Sequence, residues 1–154
     1  MTQDFDKKLI ELGIALPEAA APVANYVPAV QVGKLLYVSG QIPMRSGQLA
    51  ISGKAGIDVD EARAAEAARI CAINVLAQVK TALGTLNKVK RVVRLGVFVA
   101  SADGFTRQPQ VANAASDLMV AVFGDQGRHA RAAVGVNVLP LDATVEVEAV
   151  FEVK

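Results

Sequence analysis

Between residues 60 and 83, Ala65, Ala68, Ala72, Val75, Leu76, Val79 and Leu83 recur at helical spacing, while Arg63, Glu66, Asn74, Gln78 and Thr81 fall largely opposite. This period predicts a long amphipathic helix, and such a helix draws most of its stability from burying its apolar face against a second layer. The alanines in the first half of the stripe permit close approach to a sheet. Asp58 followed by Glu61 reads as a capping box, Lys80 complements the helix dipole, and Gly84 reads as the C′ residue.

The remaining segments supply that sheet. Residues 4–12 read as a short helix with Phe5, Leu9 and Leu12 on one side, closed by Gly13, and 17–22 as a linker of small residues. Runs 26–32 and 35–39 flank Gly33 and Lys34 as a hairpin, with a short third strand at 48–52. Residues 92–100, rich in Val and Phe, read as a buried central strand, and Pro109 introduces a second helix over 111–123, stopped by Gly124. Runs 131–138 and 144–153 read as a C-terminal hairpin. In the latter, Val145, Val147, Ala149, Phe151 and Val153 share one face, and Glu146, Glu148 and Glu152 the other. The order predicts an α+β two-layer fold, about six strands in a mixed sheet with two helices on one face, the rival being a ferredoxin-like domain. All 154 residues are expected in one domain, with 1–23 as an N-terminal helix and linker extension.

Several classes of function are excluded. One cysteine and one histidine leave no intrachain disulfide and no Cys/His zinc cluster. A net charge of +1, from 16 basic and 15 acidic residues, provides no electrostatic case for nucleic acid or an anionic membrane. The longest uncharged run, 19–33, is interrupted by Pro22 and Pro28 and is no membrane span; with no signal-like apolar segment at the N-terminus, a cytoplasmic protein is expected.

Among the chemically active side chains, Cys71 beside the helix stripe reads as a buried, inert thiol, and His129 as solvated or locally bonded. Lys88, Lys90, Arg91 and Arg94 read as a solvated edge, without the aromatics of an RNA site. Arg131 stands apart. Strand alternation assigns Ala132, Val134, Val136 and Val138 to the core and puts Arg131 on the other face, beside the small residues Ala133 and Gly135. A guanidinium in such surroundings offers a planar fork for a carboxylate; an ordinary surface ion pair with Glu148 or Glu152 is the alternative.

The run from Tyr26 through Gly33 and Ser39-Gly40-Gln41-Ile42-Pro43, and the run beginning Arg131-Ala-Ala-Val-Gly-Val-Asn-Val-Leu-Pro, resemble the two signatures of the RidA (YjgF, reactive intermediate deaminase) family, also labelled L-PSP endoribonuclease. The resemblance implies a chorismate mutase-like fold, a homotrimer with sites at the subunit clefts, and no cofactor or metal. It further implies hydrolysis of enamine or imine intermediates to a 2-keto acid and ammonia. Arg131 matches the arginine that holds the substrate carboxylate, and Glu146 the acid associated with the attacking water. Tyr26, Ser39, Gly40 and Asn113 match cleft positions, and Ala133 stands where better-known deaminases have a cysteine used mainly through its backbone. A non-catalytic trimer that binds small carboxylates is the alternative, and a ribonuclease a third reading. Hairpin register would set Val138 opposite Val145 and Arg131 opposite Glu152, which leaves Arg131 roughly 20 Å along the ladder from Glu146, on one face. The two could then share a substrate only across subunits.

Overall fold

Asp4 starts the first helix, α1 (Phe5–Glu11), by accepting a hydrogen bond from the Lys7 amide at 3.1 Å. The structure, a computed structural model, describes residues 2–22 and 24–154, so Met1 and Val23 of the expected N-terminal extension lie outside it. Phe5 and Leu9 form the buried side of α1, and Phe5 meets Phe123 edge-on at 4.9 Å. Strands β1 (Ala29–Val32) and β2 (Leu35–Gln41) make the expected hairpin. The expected third strand is instead half of a separate two-stranded ribbon, β3 (Met44–Arg45) and β4 (Gln48–Leu49), which turns through positive φ at both Ser46 and Gly47.

The long helix is α2 (Glu61–Leu83), and its cap is Asp60 rather than Asp58. Asp60 accepts from the Arg63 amide at 2.7 Å, whereas Asp58 turns back to the Lys54 amide at 2.9 Å. Two aspartates before one helix both satisfy the local pattern, and the preceding turn decides between them. Gly84, at φ 83°, ends the helix. Then follow β5 (Val89–Ala100), α3 (Gln108–Phe123) with Pro109 in its first turn, β6 (Ala130–Val136) and β7 (Val145–Val153).

Five strands form one mixed sheet in the order β1-β2-β7-β5-β6. The buried faces of α2 and α3 meet the apolar side of β2, β5 and β7, and α1 packs at the end of α3. The two-layer α+β expectation therefore holds, with five strands and a ribbon in place of about six. Among the described residues, no helix is long and apolar enough to cross a membrane.

The C-terminal strands are not a hairpin. β5 lies between them, antiparallel to β7 and parallel to β6. Val92, Leu95, Val97 and Val99 are fully buried, and a strand so apolar is stabilised by neighbours on both edges. The helix between β5 and β6 supplies the crossover that a parallel pair requires. Register then inverts the expected facing of β6. Leu95 pairs with Arg131, Val97 with Ala133 and Val99 with Gly135, so these three β6 residues lie on the helix-covered side. Val134, expected in the core, is 46% exposed on the open side. Alternation separates a strand's two sides, but on an edge strand of small residues it does not reveal which side is covered. The room beside Gly135 is filled from within the chain, since a Cβ there would stand 2.7 Å from Gln108 Nε2.

Gly127 lies against the last turns of α3, where an added Cβ would come within 2.2 Å of the Met119 carbonyl oxygen. Because the obstacle is helix backbone, it cannot rotate away. Gly127→Ala should cost about 1–3 kcal/mol or more, as overpacking does, and should be read as a lower urea midpoint with an unchanged slope.

Candidate active site

Arg131 extends from the outer strand of the sheet onto α3. Pro109, Asn113 and Ser116 follow one another along a single side of that helix, and all three receive the guanidinium. Nη1 donates to Asn113 Oδ1 at 2.9 Å and Ser116 Oγ at 3.1 Å, and Nη2 reaches the Pro109 carbonyl at 3.5 Å. Both Nη1 hydrogens are thereby used. The Nε–H and Nη2 edge, itself a two-donor fork, keeps no full-strength partner. Among the described residues no carboxylate lies within ion-pair distance of Arg131. The two candidate partners are engaged elsewhere, Glu152 by Lys90 at 2.8 Å and Glu148 by Arg94 at 3.3 Å.

The backbone adds donors to the same place. Ser101 N–H donates to the Val136 carbonyl at 2.9 Å, so the peptide groups of Val136, Val134 and Ala132 face β5. Those of Arg131, Ala133 and Gly135 consequently point outward along an edge that no other strand covers. The Ala133 amide thus stands free two residues from Arg131.

His129 belongs to this group, which its isolation in the sequence did not suggest. Its Nδ1 lies 2.6 Å from the Gly127 carbonyl and its Nε2 2.9 Å from Ser116 Oγ. Burial, and secondarily the Arg131 charge, hold its pKa below the ordinary histidine value against an opposing effect of the Gly127 bond. Ser116 was not singled out from the sequence at all; its only signal is its place seven residues after Pro109, which acquires meaning once α3 is known to cover β6.

A second group gathers around Glu146 on the open side of β7. Between Val38 and Gln41, β2 carries one more residue than β7 opposite it, a bulge at Ser39 and Gly40. The missing side chain of Gly40 admits Glu146: a Cβ there would stand 2.8 Å from the carboxyl carbon. Ser39 Oγ donates to the Val27 carbonyl at 2.9 Å, tying the bulge to the segment that carries Tyr26. Tyr26 and Gly40 line a cleft of about 730 Å³ with Gln41, Ile42, Asn74 and Gln78. Burial first, and Glu148 second, raise the Glu146 carboxyl above its ordinary pKa. Cys71, fully buried below, donates to the Val145 carbonyl at 3.4 Å, and burial pushes its thiol well above the usual value, as suits an inert cysteine.

The predicted residues thus fall into two sets, Arg131 with Asn113 and Ala133, and Glu146 against Gly40, with Ser39 in the same bulge and Tyr26 lining the cleft that Gly40 borders, a cleft whose lining does not include Glu146. Arg131 stands beside Leu95, while Glu146 faces Phe98. They are therefore about 10 Å apart along the strands and about 10 Å across two of them. They also lie on opposite sides of the sheet, which corrects the common face and the hairpin register expected above. One chain does not bring them together.

Residues 6–153 match the family described as "YjgF/chorismate_mutase-like, putative endoribonuclease". The chain belongs to the YjgF family. It is 51% identical over 145 residues to protein TCP17 of Trypanosoma cruzi, covering 94% of this chain and 91% of that one. It is 32% identical over 143 residues to the 2-iminobutanoate/2-iminopropanoate deaminase of Dermatophagoides farinae, covering 92% and 95% respectively. A crystal structure of an Agrobacterium tumefaciens protein with unknown function superposes with a TM-score of 0.91 at 52% identity, over 97% of this chain and 92% of that one. The chorismate mutase-like fold inferred from the two signatures is thus the YjgF fold.

Because the Glu146 pKa is raised on folding, its neutral form is favoured by the folded state. That stabilisation is complete below the unfolded-state pKa of about 4.3 and is lost as pH rises through the folded value. Glu146→Gln should accordingly melt above wild type at pH 7, and the gap should close toward pH 4 in thermal scans.

Proposed function

We propose that this YjgF protein hydrolyses small 2-imino acids to 2-keto acids and ammonia. The observation that carries the reading is Arg131, held by α3 through Nη1, with its Nε–H and Nη2 edge engaged only by the long 3.5 Å contact to the Pro109 carbonyl and the Ala133 amide beside it. A planar carboxylate fits that edge through two parallel hydrogen bonds. The imine carbon, already electrophilic, is attacked by water. A proton from the water passes through Glu146, whose raised pKa suits a group that both takes and returns protons, to the nitrogen. The hydroxyl proton of the resulting carbinolamine then passes, again through Glu146, to the nitrogen; as the C–N bond breaks, the C–O bond becomes C=O, releasing ammonia and the keto acid. Fixing the carboxylate orients C=N, so positioning supplies much of the effect. The relative from Dermatophagoides farinae, a deaminase by name, supports the substrate class.

Since Arg131 and Glu146 lie on opposite sides of one chain's sheet, the working cleft on this reading joins the Arg131 edge of one copy to the Glu146 side of the next. The uncovered sheet face favours such an assembly, a homotrimer, because Val30, Val32, Tyr37 and Val134 are each 46–64% exposed there. An RNA-cleaving role draws less support, with Lys90 and Arg94 already paired to glutamates.

Added to an amino-acid oxidase reaction, the protein should speed keto-acid release from the imine, and Arg131→Ala should lower kcat/KM about 10- to 100-fold, the worth of a charged hydrogen-bonded contact. Arg131→Lys should lose most activity, since an ammonium lacks the fork. Binding of a 2-keto acid without any acceleration over buffer would instead indicate a non-catalytic carboxylate-binding protein.

Assembly has its own test. Arg131→Ala and Glu146→Gln subunits, each strongly impaired alone, should rise to about a quarter of wild-type activity after random exchange into trimers, because every mixed ring rebuilds one site in three. No such rise in verified mixed trimers would refute the shared cleft.

A further inference from the structure

The hydrogen bonds behind Arg131 have their proton directions fixed by elementary bonding rules. The Gly127 carbonyl can only accept, so His129 Nδ1, 2.6 Å away, carries the proton. A neutral imidazole then presents a lone pair at Nε2, which is 2.9 Å from Ser116 Oγ. A guanidinium cannot accept, so the single hydroxyl proton of Ser116 goes to His129, and a Ser116 lone pair receives Arg131 Nη1 at 3.1 Å. Each of the three successive hydrogen bonds from Arg131 Nη1 through Ser116 and His129 to Gly127 therefore has one donor and one acceptor.

The far end of this hydrogen-bond chain is closely packed. Gly127 is buried against the α3 backbone at Met119 and Val120, with no room there even for a Cβ. A charged His129 would aim a second N–H at the oxygen that already receives Arg131, leaving the serine proton with no partner in the chain. The partial burial of the ring and the nearby guanidinium both favour the neutral form.

We propose that His129 and Ser116 are positioning residues for Arg131: His129 accepts a hydrogen bond from the Ser116 hydroxyl, turns the oxygen's lone pairs toward Nη1, and so fixes the plane in which Arg131 offers its Nε–H and Nη2 edge to a carboxylate. This rests on the carboxylate-binding reading of Arg131. Without Ser116, Asn113 would be the one strong anchor beside the long 3.5 Å contact to the Pro109 carbonyl, whereas two anchors on Nη1 define the guanidinium plane. Neither His129 nor Ser116 touches the substrate on this view, and their effect passes entirely through Arg131.

A double-mutant cycle in the full-length protein tests this, with pyruvate as the calorimetric probe. Ser116→Ala and His129→Leu should each weaken binding about threefold to tenfold, the worth of one neutral hydrogen bond. The double variant should be no weaker than Ser116→Ala, because His129 acts through the serine. His129→Gln, which returns an oxygen near the Nε2 position, should recover most of the loss. Additive losses, or no loss from either change, would overturn the proposal. A readout without ligand separates this from the functional reading. Ring nitrogen shifts should place the His129 proton on Nδ1, and rotation of the Arg131 guanidinium should quicken in both single variants. If wild type binds no pyruvate, the carboxylate-binding reading fails, and these spectra still decide the hydrogen-bond chain. A proton on Nε2, or unchanged guanidinium rotation, would refute it.

Discussion

Leu95 lies beside Arg131 and Val97 beside Ala133, and much of the molecule depends on this parallel register between β5 and β6. Parallel neighbours cannot be joined by a tight turn, so the chain must leave the sheet, form α3, and return. The crossover lays α3 across β6 and sets Pro109, Asn113 and Ser116 over the only edge strand that carries an arginine on its covered side. The same register leaves the outward peptide groups of Arg131, Ala133 and Gly135 unpaired. A side-chain cation and a row of backbone donors are thus brought together by one topological choice.

The two sides of the sheet solve different electrostatic problems. On the covered side, a guanidinium at the rim has no carboxylate partner among the described residues, and oxygens of α3 and its N-terminal turn hold it instead. On the open side, Glu148 and Glu152 are each answered by a cation on β5, while Glu146 is partly buried with Glu148 as a like-charged neighbour. Burial makes the Glu146 charge costly to keep, Arg131 has no carboxylate partner among the described residues, and both occur where the YjgF signatures fall. Such exceptions to local charge pairing are where functional sites are to be expected.

Gly40 shows how the surroundings of Glu146 are made. A bulge shifts β2 by one residue against β7, and the absent side chain at Gly40 is what allows Glu146 to lie across the strand. The bulge also connects, through Ser39 and Val27, to the segment bearing Tyr26. One chain therefore presents an acid and an aromatic at one region and an arginine at another. The open side of the sheet also exposes the apolar side chains Val30, Val32, Tyr37 and Val134.

Much of this was legible in the residue order. The long helix, the glycine that ends it, the two-layer class and the alternation of β7 follow from local periodicity, which depends on neighbours three or four positions apart in a helix and two in a strand. The YjgF resemblance lay in two short runs and picked out Arg131, Glu146, Asn113 and Gly40 without any geometry. Strand order was not legible, because a six-residue connection between apolar runs suits a hairpin as well as a passage past the end of β5. Nor was the side of the sheet on which Arg131 lies, since a period of two divides β6 into faces without saying which one α3 will cover. The roles of His129 and Ser116 depended on that same fact. The sequence by itself determined which segments become helices and strands and which family signatures they carry. Only the tertiary structure decided which faces meet, because that choice comes from burying β5 on both edges, a demand no single segment expresses alone.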